Sequence, residues 1–253
     1  MKVAILLTAH AQTKEWELNA EFFRRMPNDS ILRNADILAY ANSKDIKAGQ
    51  IEQYLDLFPN PRKYLLYTPM NGHSVANLPI DVSTNQYKTN DNNRAGYLFG
   101  ALEAYSGTFD LLKSYDFVVQ INPDVYITNY AKLENYLKDN LNNDSVFHVN
   151  TMRSDLNKGF TCDFIVYRPN MMSNNYFAFY KAPEVMGYVG EKSKVDPLFK
   201  YIPEQILKRL CEVFNLKYSV ICQGTRNNRQ IDEYGMWHCH EIRDVQNFIE
   251  HQK

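Results

Sequence analysis

A polar tripeptide, Asn122-Pro123-Asp124, interrupts the most strand-like stretch of the sequence. Residues 115–121 (YDFVVQI) are mostly aromatic or β-branched, and strand character resumes at once as VYIT (125–128). In open α/β sheets, ligands bind at the carboxyl ends of the parallel strands, which is where this tripeptide would lie. A carboxylate beside an amide oxygen is a hard donor set that suits Mg²⁺ or Mn²⁺. The tripeptide therefore predicts a cation site at a strand end; the alternative is that it only turns the chain.

The proline between the two polar residues predicts how their side chains are directed. Pro123 favours an extended backbone at Asn122. Residues i and i+2 of an extended segment share a face, so Asn122 and Asp124 would point into the same crevice.

A second metal-competent group stands near the end of the sequence, in GMWHCHE (235–241). His238 and His240 alternate across Cys239, so both imidazoles would share one face of a strand. A zinc site built from this group alone would need Glu241, which lies on the opposite face. Two alternatives remain. One of the histidines would be a ligand of a cation bound at Asp124, or neither histidine would bind a metal.

The elements that would position these residues follow an alternating pattern. Short apolar runs typical of buried strands are separated by segments with helical apolar spacing. Strands are predicted at 3–9, 35–42, 63–68, 115–121, 144–151, 162–169 and 217–223, and helices at 14–26, 48–58, 93–105, 132–141 and 202–214. Residues 69–93 are polar and aperiodic and predict a long loop. The pattern indicates one α/β domain with a Rossmann-like, mostly parallel sheet flanked by helices and a more irregular second half.

The bulk properties narrow the classes of function. A net charge of -1 gives no electrostatic footprint for nucleic acid or an anionic membrane surface. The opening MKVAILLTAH is too short for a signal peptide or a membrane span and predicts a first strand. The four cysteines contain no CxxC pair, which favours free thiols in a reducing compartment. We therefore expect a cytoplasmic protein with no membrane span.

The order of these parts resembles the GT-A class of nucleotide-sugar glycosyltransferases. The resemblance is carried by the first strand VAILLTAH, the segment NRAGYLFGALEA leading into YDFVVQINPDVYI, the strand CDFIVYRP, the helix PEQILKRL and the terminal histidine cluster. The chain is also similar to the small glycosyltransferases encoded by chloroviruses, which would place it in a host cytoplasm. In the GT-A class an Asp-x-Asp motif and a late histidine bind a metal on the donor diphosphate.

The resemblance implies a metal-dependent transfer of a sugar from a UDP- or GDP-sugar, with UDP favoured, to a glycan or glycoprotein acceptor. The cofactor would be Mn²⁺ or Mg²⁺. Residues 1–128 would form the nucleotide-sugar-binding half and residues 129–253 the acceptor-binding half of a single glycosyltransferase domain. Asp124 would be the main metal ligand, joined by His240 or His238. Asn122, where the class has a carboxylate, would be a weaker ligand or a ribose contact.

Further donor contacts are implied by position in the same class. Ala9 and His10, at the end of the first strand, would approach the nucleotide base. Arg94, at the start of the helix predicted at 93–105, would contact the donor sugar or a phosphate.

An inverting reaction would also need a carboxylate to accept the proton of the acceptor hydroxyl. Glu204 resembles the helix-start acidic pair of the class, although favourable placement at a helix N-terminus explains it equally well. Asp163 is the second candidate and Asp232 the third. Tyr176, Phe179 and Trp237 are candidates for stacking on acceptor sugars, with packing as the commoner alternative.

Two other functions fit the same residues. A zinc hydrolase would use His238, His240 and a carboxylate. A non-catalytic sugar-binding module would account for the missing first carboxylate of the Asp-x-Asp motif.

Overall fold

A computed structural model describes most of the predicted strands and about half of the predicted helices. The described residues are 1–9, 13–41, 48–67, 104, 107–152, 160–172, 207–208, 211–212, 214–224, 235–239 and 241–251. The predicted loop at 69–93 and most of the helices predicted at 93–105 and 202–214 lie outside them.

Nine strands are found within these residues. They are β1 (Val3–Ala9), β2 (Asp36–Ala41), β3 (Lys63–Tyr67), β4 (Phe117–Ile121), β5 (Val125–Ile127), β6 (Phe147–Met152), β7 (Phe160–Tyr167), β8 (Tyr218–Gly224) and β9 (Met236–His238). The α-helices with defined bounds are α1 (Thr13–Arg25), α2 (Ile31–Asn34), α3 (Ala48–Asp56), α4 (Tyr130–Asp139) and α5 (Ile242–His251). A further helical segment covers 107–112, and a 3₁₀ turn covers Pro169–Met171. Among the described helices, none has the length and apolarity needed to cross a bilayer.

Seven of the strands form one mixed sheet in the order β3-β2-β1-β4-β7-β6-β8. The first four are parallel to one another, and β6 is parallel to β8. Only β7 runs the other way, antiparallel to both β4 and β6. Strands from both halves of the sequence build this sheet, which confirms the predicted α/β class and the mostly parallel sheet.

The unbroken apolar runs form strands because both faces of the sheet are covered. In β1, Ala4 and Leu6 face one core, while Ile5 and Leu7 face the other, and all four are 0% exposed. The first core is closed by the helical segment at 107–112 and by Leu207. The second core is closed by α1, α2, α3 and α4.

The remaining two strands, β5 and β9, form a separate antiparallel sheet. This small sheet packs with α5 against the outer side of α1, in a third core that includes Phe22, Tyr126, Trp237 and Val245. Sequence analysis predicted VYIT as the continuation of the central strand. Instead, this segment leaves the large sheet and pairs with the predicted histidine cluster.

Two helices were not predicted from the sequence. The short helix α2 is capped by Ser30, whose hydroxyl accepts a hydrogen bond from the Arg33 N–H. The C-terminal helix α5 carries Ile242, Val245 and Ile249 at helical spacing toward the third core. That spacing was readable in the sequence, so α5 could have been predicted.

A buried histidine makes the fold sensitive to acid. His148, in β6, is 0% exposed, and its Nδ1 lies 2.8 Å from the Tyr136 hydroxyl. Burial, together with the nearby positive charge of Arg168, lowers the pKa of His148 to about 4. The ring is therefore neutral in the folded protein at neutral pH.

We predict that His148 makes the free energy of unfolding fall between about pH 6.5 and 4. Because its pKa is lower in the folded state, the unfolded chain binds more protons in this window, so this part of the stability is complete above pH 6.5 and is lost on acidification. The loss attributable to His148 should reach about 3 kcal/mol. Urea unfolding of the wild type and of His148→Gln across this range tests it, since the two curves should converge as the pH falls. Parallel curves would contradict the assignment.

Candidate active site

The Asn-Pro-Asp segment forms a tight turn between the two sheets. The Asn122 N–H donates to the Asp163 carbonyl (2.8 Å), which extends the β4–β7 ladder by one residue. The Val125 N–H then donates back to the Asn122 carbonyl (2.9 Å) and closes a four-residue turn. Asn122 itself continues the ladder, but the extended segment expected through Asp124 is wrong, because residues 123–124 turn the chain toward the other sheet.

The turn delivers the Asp124 carboxylate to the late histidine. In the small sheet, Val125 pairs with His238, and the Cys239 N–H donates to the Asp124 carbonyl (3.1 Å). This register places Asp124 Oδ2 3.1 Å from His238 Nε2. Asp124 is 7% exposed, so the carboxylate is held inside the protein. Two residues 114 positions apart thus meet at the carboxyl end of β4.

The same imidazole faces a second carboxylate. His238 Nδ1 lies 3.6 Å from Asp163 Oδ2, and Asp163 Oδ1 accepts a hydrogen bond from Asn122 Nδ2 (2.8 Å). Asn122 Oδ1 in turn accepts a hydrogen bond from the hydroxyl of Thr8, near the end of β1. Five side chains therefore form one polar network across the ends of β1, β4, β7 and β9.

The network is more open to solvent at one side. The side chains of His238 and Asp163 are 23% and 24% exposed, whereas that of Asp124 is 10% exposed. The side of the network that contacts solvent is therefore formed by His238 and Asp163.

Asn19, on helix α1, fixes the turn from behind. Its side-chain Nδ2 donates to the carbonyls of Pro123 (3.0 Å) and Val125 (2.8 Å), and the residue is 1% exposed. Asn19 was not among the site residues predicted from the sequence. The available signal was an amide on an otherwise apolar helix face, between Trp16 and Phe23 at helical spacing.

Gly235 is the second residue that fixes the geometry of the site. Its φ of +81° is a backbone conformation that favours glycine, and a Cβ there would lie 2.2 Å from the Asn129 carbonyl oxygen. The Gly235 carbonyl accepts from the N–H groups of Thr128 (2.7 Å) and Asn129 (3.0 Å). This close approach sets where β9, and hence His238, begins.

The predicted site residues divide into three groups. Those that the structure brings together are Asn122, Asp124, Asp163 and His238, with the backbone of Ala9 next to Thr8 at the end of β1. Those outside the described residues are His10, Arg94, Tyr176, Phe179, Glu204, Asp232 and His240.

Trp237 forms the third group, because it faces away from the network. It is 6% exposed, with the ring of Phe248 5.2 Å away and that of Tyr126 6.4 Å away between centroids. Stacking on an acceptor sugar would require opening this core, so the packing alternative describes Trp237 and the predicted acceptor contact has no support.

The donor atoms of the network suit a hard divalent cation only in part. The described residues include no group of three His, Cys, Asp or Glu side chains that could hold a metal ion. Asp124 and His238, however, place an oxygen and a nitrogen 3.1 Å apart, close to the separation of about 3 Å between adjacent ligands of an octahedral ion. Both polar atoms of Asn122 already make hydrogen bonds. The pair therefore fits as two ligands of an ion that takes its others elsewhere.

No protein-family model and no curated protein sequence matches the chain. Among solved structures, mouse xyloside xylosyltransferase 1 in its apo form has a TM-score of 0.54 and 8% identity, covering 94% of this chain and 97% of its own. The galactosyltransferase LgtC in complex with donor and acceptor sugar analogs has a TM-score of 0.54 and 10% identity, covering 99% and 94%. A glycosyltransferase involved in the glycosylation of the major capsid of PBCV-1 has a TM-score of 0.42 and 10% identity, covering 99% and 100%.

The first two similarities, together with the strand order, define the fold. The protein has the GT-A fold of the nucleotide-sugar glycosyltransferases, as the sequence resemblance predicted.

We predict that Asn19→Asp destabilises the protein and disturbs the site. A carboxylate at position 19 would face the two carbonyl oxygens that the amide now binds, at a cost of at least about 2 kcal/mol. Asn60→Asp is a matched control, because the Asn60 amide also clamps two carbonyls, those of Leu32 and Ala35 (both 2.9 Å), away from the network. Urea unfolding should show similar losses for both variants. The NMR signal of His238 should shift in Asn19→Asp and stay unchanged in Asn60→Asp. An equal shift in both variants would contradict a local role of the Asn19 amide in positioning the site.

Gly235→Ala should cost about 2 kcal/mol or more, because alanine must both adopt a positive φ and displace the Asn129 backbone. Gly107→Ala is the control. There the new Cβ would meet the ring of Tyr40 at 3.0 Å, and no positive φ is required. Thermal unfolding should separate the two variants clearly. Equal melting temperatures would show that the backbone at 235 adapts.

Proposed function

We propose that this protein is a glycosyltransferase that moves a sugar from a nucleotide-diphosphate sugar to a hydroxyl of a glycan or glycoprotein acceptor. The observation that carries the proposal is the Asp124–His238 pair, 3.1 Å apart at the carboxyl end of β4 on a GT-A fold. Ligands of open α/β sheets bind at this edge. The two structures of similar fold described above are both named as glycosyltransferases, which supports the same class of reaction.

On the donor side, Asp124 and His238 would hold Mn²⁺ or Mg²⁺ against the diphosphate of the donor, with a UDP-sugar favoured. When bound, such an ion stabilises the negative charge that develops on the departing diphosphate. The protein's own contribution is to hold both ligands in place before the donor arrives. Asn19 fixes the turn that carries Asp124, and Gly235 fixes the start of the strand that carries His238.

The contacts of Asp163 argue against one of the three candidates for the base that an inverting reaction would need. Both carboxylate oxygens of Asp163 face network partners, the amide of Asn122 and the ring of His238. A carboxylate placed this way is poorly suited to take a proton from an acceptor hydroxyl. Glu204 and Asp232 are therefore the candidates for the base. Tyr176 and Phe179 are the candidates for stacking on the acceptor sugar.

The zinc hydrolase is less well supported. Each ring nitrogen of His238 faces a carboxylate, and the part of the chain that the structure describes has no group of three zinc-binding side chains. A catalytic zinc usually needs three protein ligands. Metal analysis after dialysis tests the point, because bound stoichiometric zinc would favour the hydrolase.

We predict that UDP or GDP with Mn²⁺ raises the melting temperature. At a nucleotide concentration about 100 times Kd, the linkage free energy is about 2.7 kcal/mol, or about 5–10 °C for a chain of this length. Asp124→Ala should abolish this rise. Asp110→Ala, which removes a carboxylate that is 81% exposed and forms a surface ion pair with Lys113, should keep it. A rise that survives in Asp124→Ala would remove the basis of the proposal.

Turnover distinguishes an enzyme from a sugar-binding module on the same fold. A panel of nucleotide sugars with Mn²⁺ should release free nucleotide slowly from at least one donor. Binding without any release would favour the module.

A further inference from the structure

We infer that the amide of Asn122 positions the carboxylate of Asp163. Asp163 in turn fixes the ring of His238 for cation binding. This inference rests on the proposed function and deepens it. It gives Asn122 a purpose other than that of a weak ligand, and it makes Asp163 a positioning residue instead of a base.

The two polar atoms of the Asn122 side chain bind different partners. Its Oδ1 accepts from the Thr8 hydroxyl, and its Nδ2 donates to Asp163 Oδ1 (2.8 Å). A carboxylate at position 122 would keep the first bond but has no hydrogen for the second. It would also place two negative charges at hydrogen-bond distance. The amide is therefore the group that lets a carboxylate from β7 stay beside the turn.

The imidazole of His238 lies between two carboxylates. His238 Nε2 faces Asp124, and Nδ1 faces Asp163 Oδ2 at 3.6 Å. Without a cation, the nearer acceptor, Asp124, favours the ring hydrogen on Nε2. Nε2 can ligate a cation only when that hydrogen is on Nδ1, and the acceptor opposite Nδ1 stabilises this tautomer once the cation takes Asp124. The separation of 3.6 Å exceeds a formed hydrogen bond, and such contacts commonly tighten when a ligand-free site is filled.

The positions of the two carboxylates give them different roles. They lie on opposite nitrogens of one ring, so Asp163 does not share the cation that Asp124 and Nε2 would hold. Asp163 acts only through His238. This arrangement agrees with the lack of a three-residue metal group among the described residues.

An exchange of the two residue types tests this chain of contacts. In Asp163→Asn, the Asn122 amide still needs an acceptor, so the new side chain turns its oxygen to Asn122 and its NH₂ group to His238 Nδ1. A donor there stabilises the Nε2–H tautomer, which cannot ligate. In the double variant Asn122→Asp/Asp163→Asn, the new carboxylate at 122 takes the NH₂ group, and the oxygen at 163 again faces Nδ1.

The direct measurement is the tautomer of His238 with saturating Mg²⁺ and UDP, because without a cation the Asp124 carboxylate, 3.1 Å from Nε2, accepts the ring hydrogen there. Long-range ¹⁵N–¹H NMR of the six histidines reports it, with His238→Gln to assign the signal. We expect the hydrogen on Nδ1 in the wild type and the double variant, and on Nε2 in Asp163→Asn. In parallel, Mn²⁺ affinity in the presence of UDP should fall about 10- to 100-fold in Asp163→Asn and recover in the double variant.

Several results would overturn the inference. One is an unchanged tautomer of His238 in Asp163→Asn. Another is a folded double variant whose Mn²⁺ affinity is as low as that of Asp163→Asn. Should Asp163→Asn not fold, Asp163→Ala serves instead, with a mixture of tautomers expected. If neither folds, Asp163 is structural and the positioning role is withdrawn. The proposed function fails separately, when Asp124→Ala leaves Mn²⁺ and UDP binding intact.

Discussion

The hydrogen bond from the Val125 N–H to the Asn122 carbonyl is the constraint on which the site depends. It closes the turn that carries the chain from the seven-stranded sheet into the small β5–β9 sheet. A strand that continued straight would keep Asp124 on the large sheet, and only the change of sheet brings its carboxylate to His238. The proline, the Asn19 clamp and the glycine at 235 all serve this one change of direction.

Helix α1 transmits that constraint to the rest of the molecule. Trp16 and Phe23 on one side pack into the sheet core, while Leu18 and Phe22 on another pack into the third core. Asn19 lies between the two sides, and its buried amide bonds the turn. Because one helix is shared by both cores, loosening either core moves the same turn. The geometry of the site is therefore a property of packing as much as of its own side chains.

Much of the fold could be predicted from the sequence, because fully buried parallel strands are unbroken apolar runs. The strand at 3–9 was predicted with the bounds that the structure has, and the strands predicted at 35–42 and 63–68 contain β2 (Asp36–Ala41) and β3 (Lys63–Tyr67). The placement of a polar tripeptide at a ligand-binding edge followed from topology alone. What could not be predicted is which strands pair and which side chains meet. VYIT reads as a strand, but nothing local says that it pairs with Met236–His238 more than 100 residues later. The contact between Asn122 and Asp163 likewise depends on the reversed direction of β7, which no residue pattern fixes.

The burial of both tryptophans has an optical consequence. The chain has only two, Trp16 and Trp237, and they lie in different cores on either side of α1. Trp237 immediately precedes His238, so its indole emission reports the small sheet, while that of Trp16 reports the large one. Replacing either ring with phenylalanine leaves a single intrinsic fluorophore, and the loosening of each core can be followed separately without any added label.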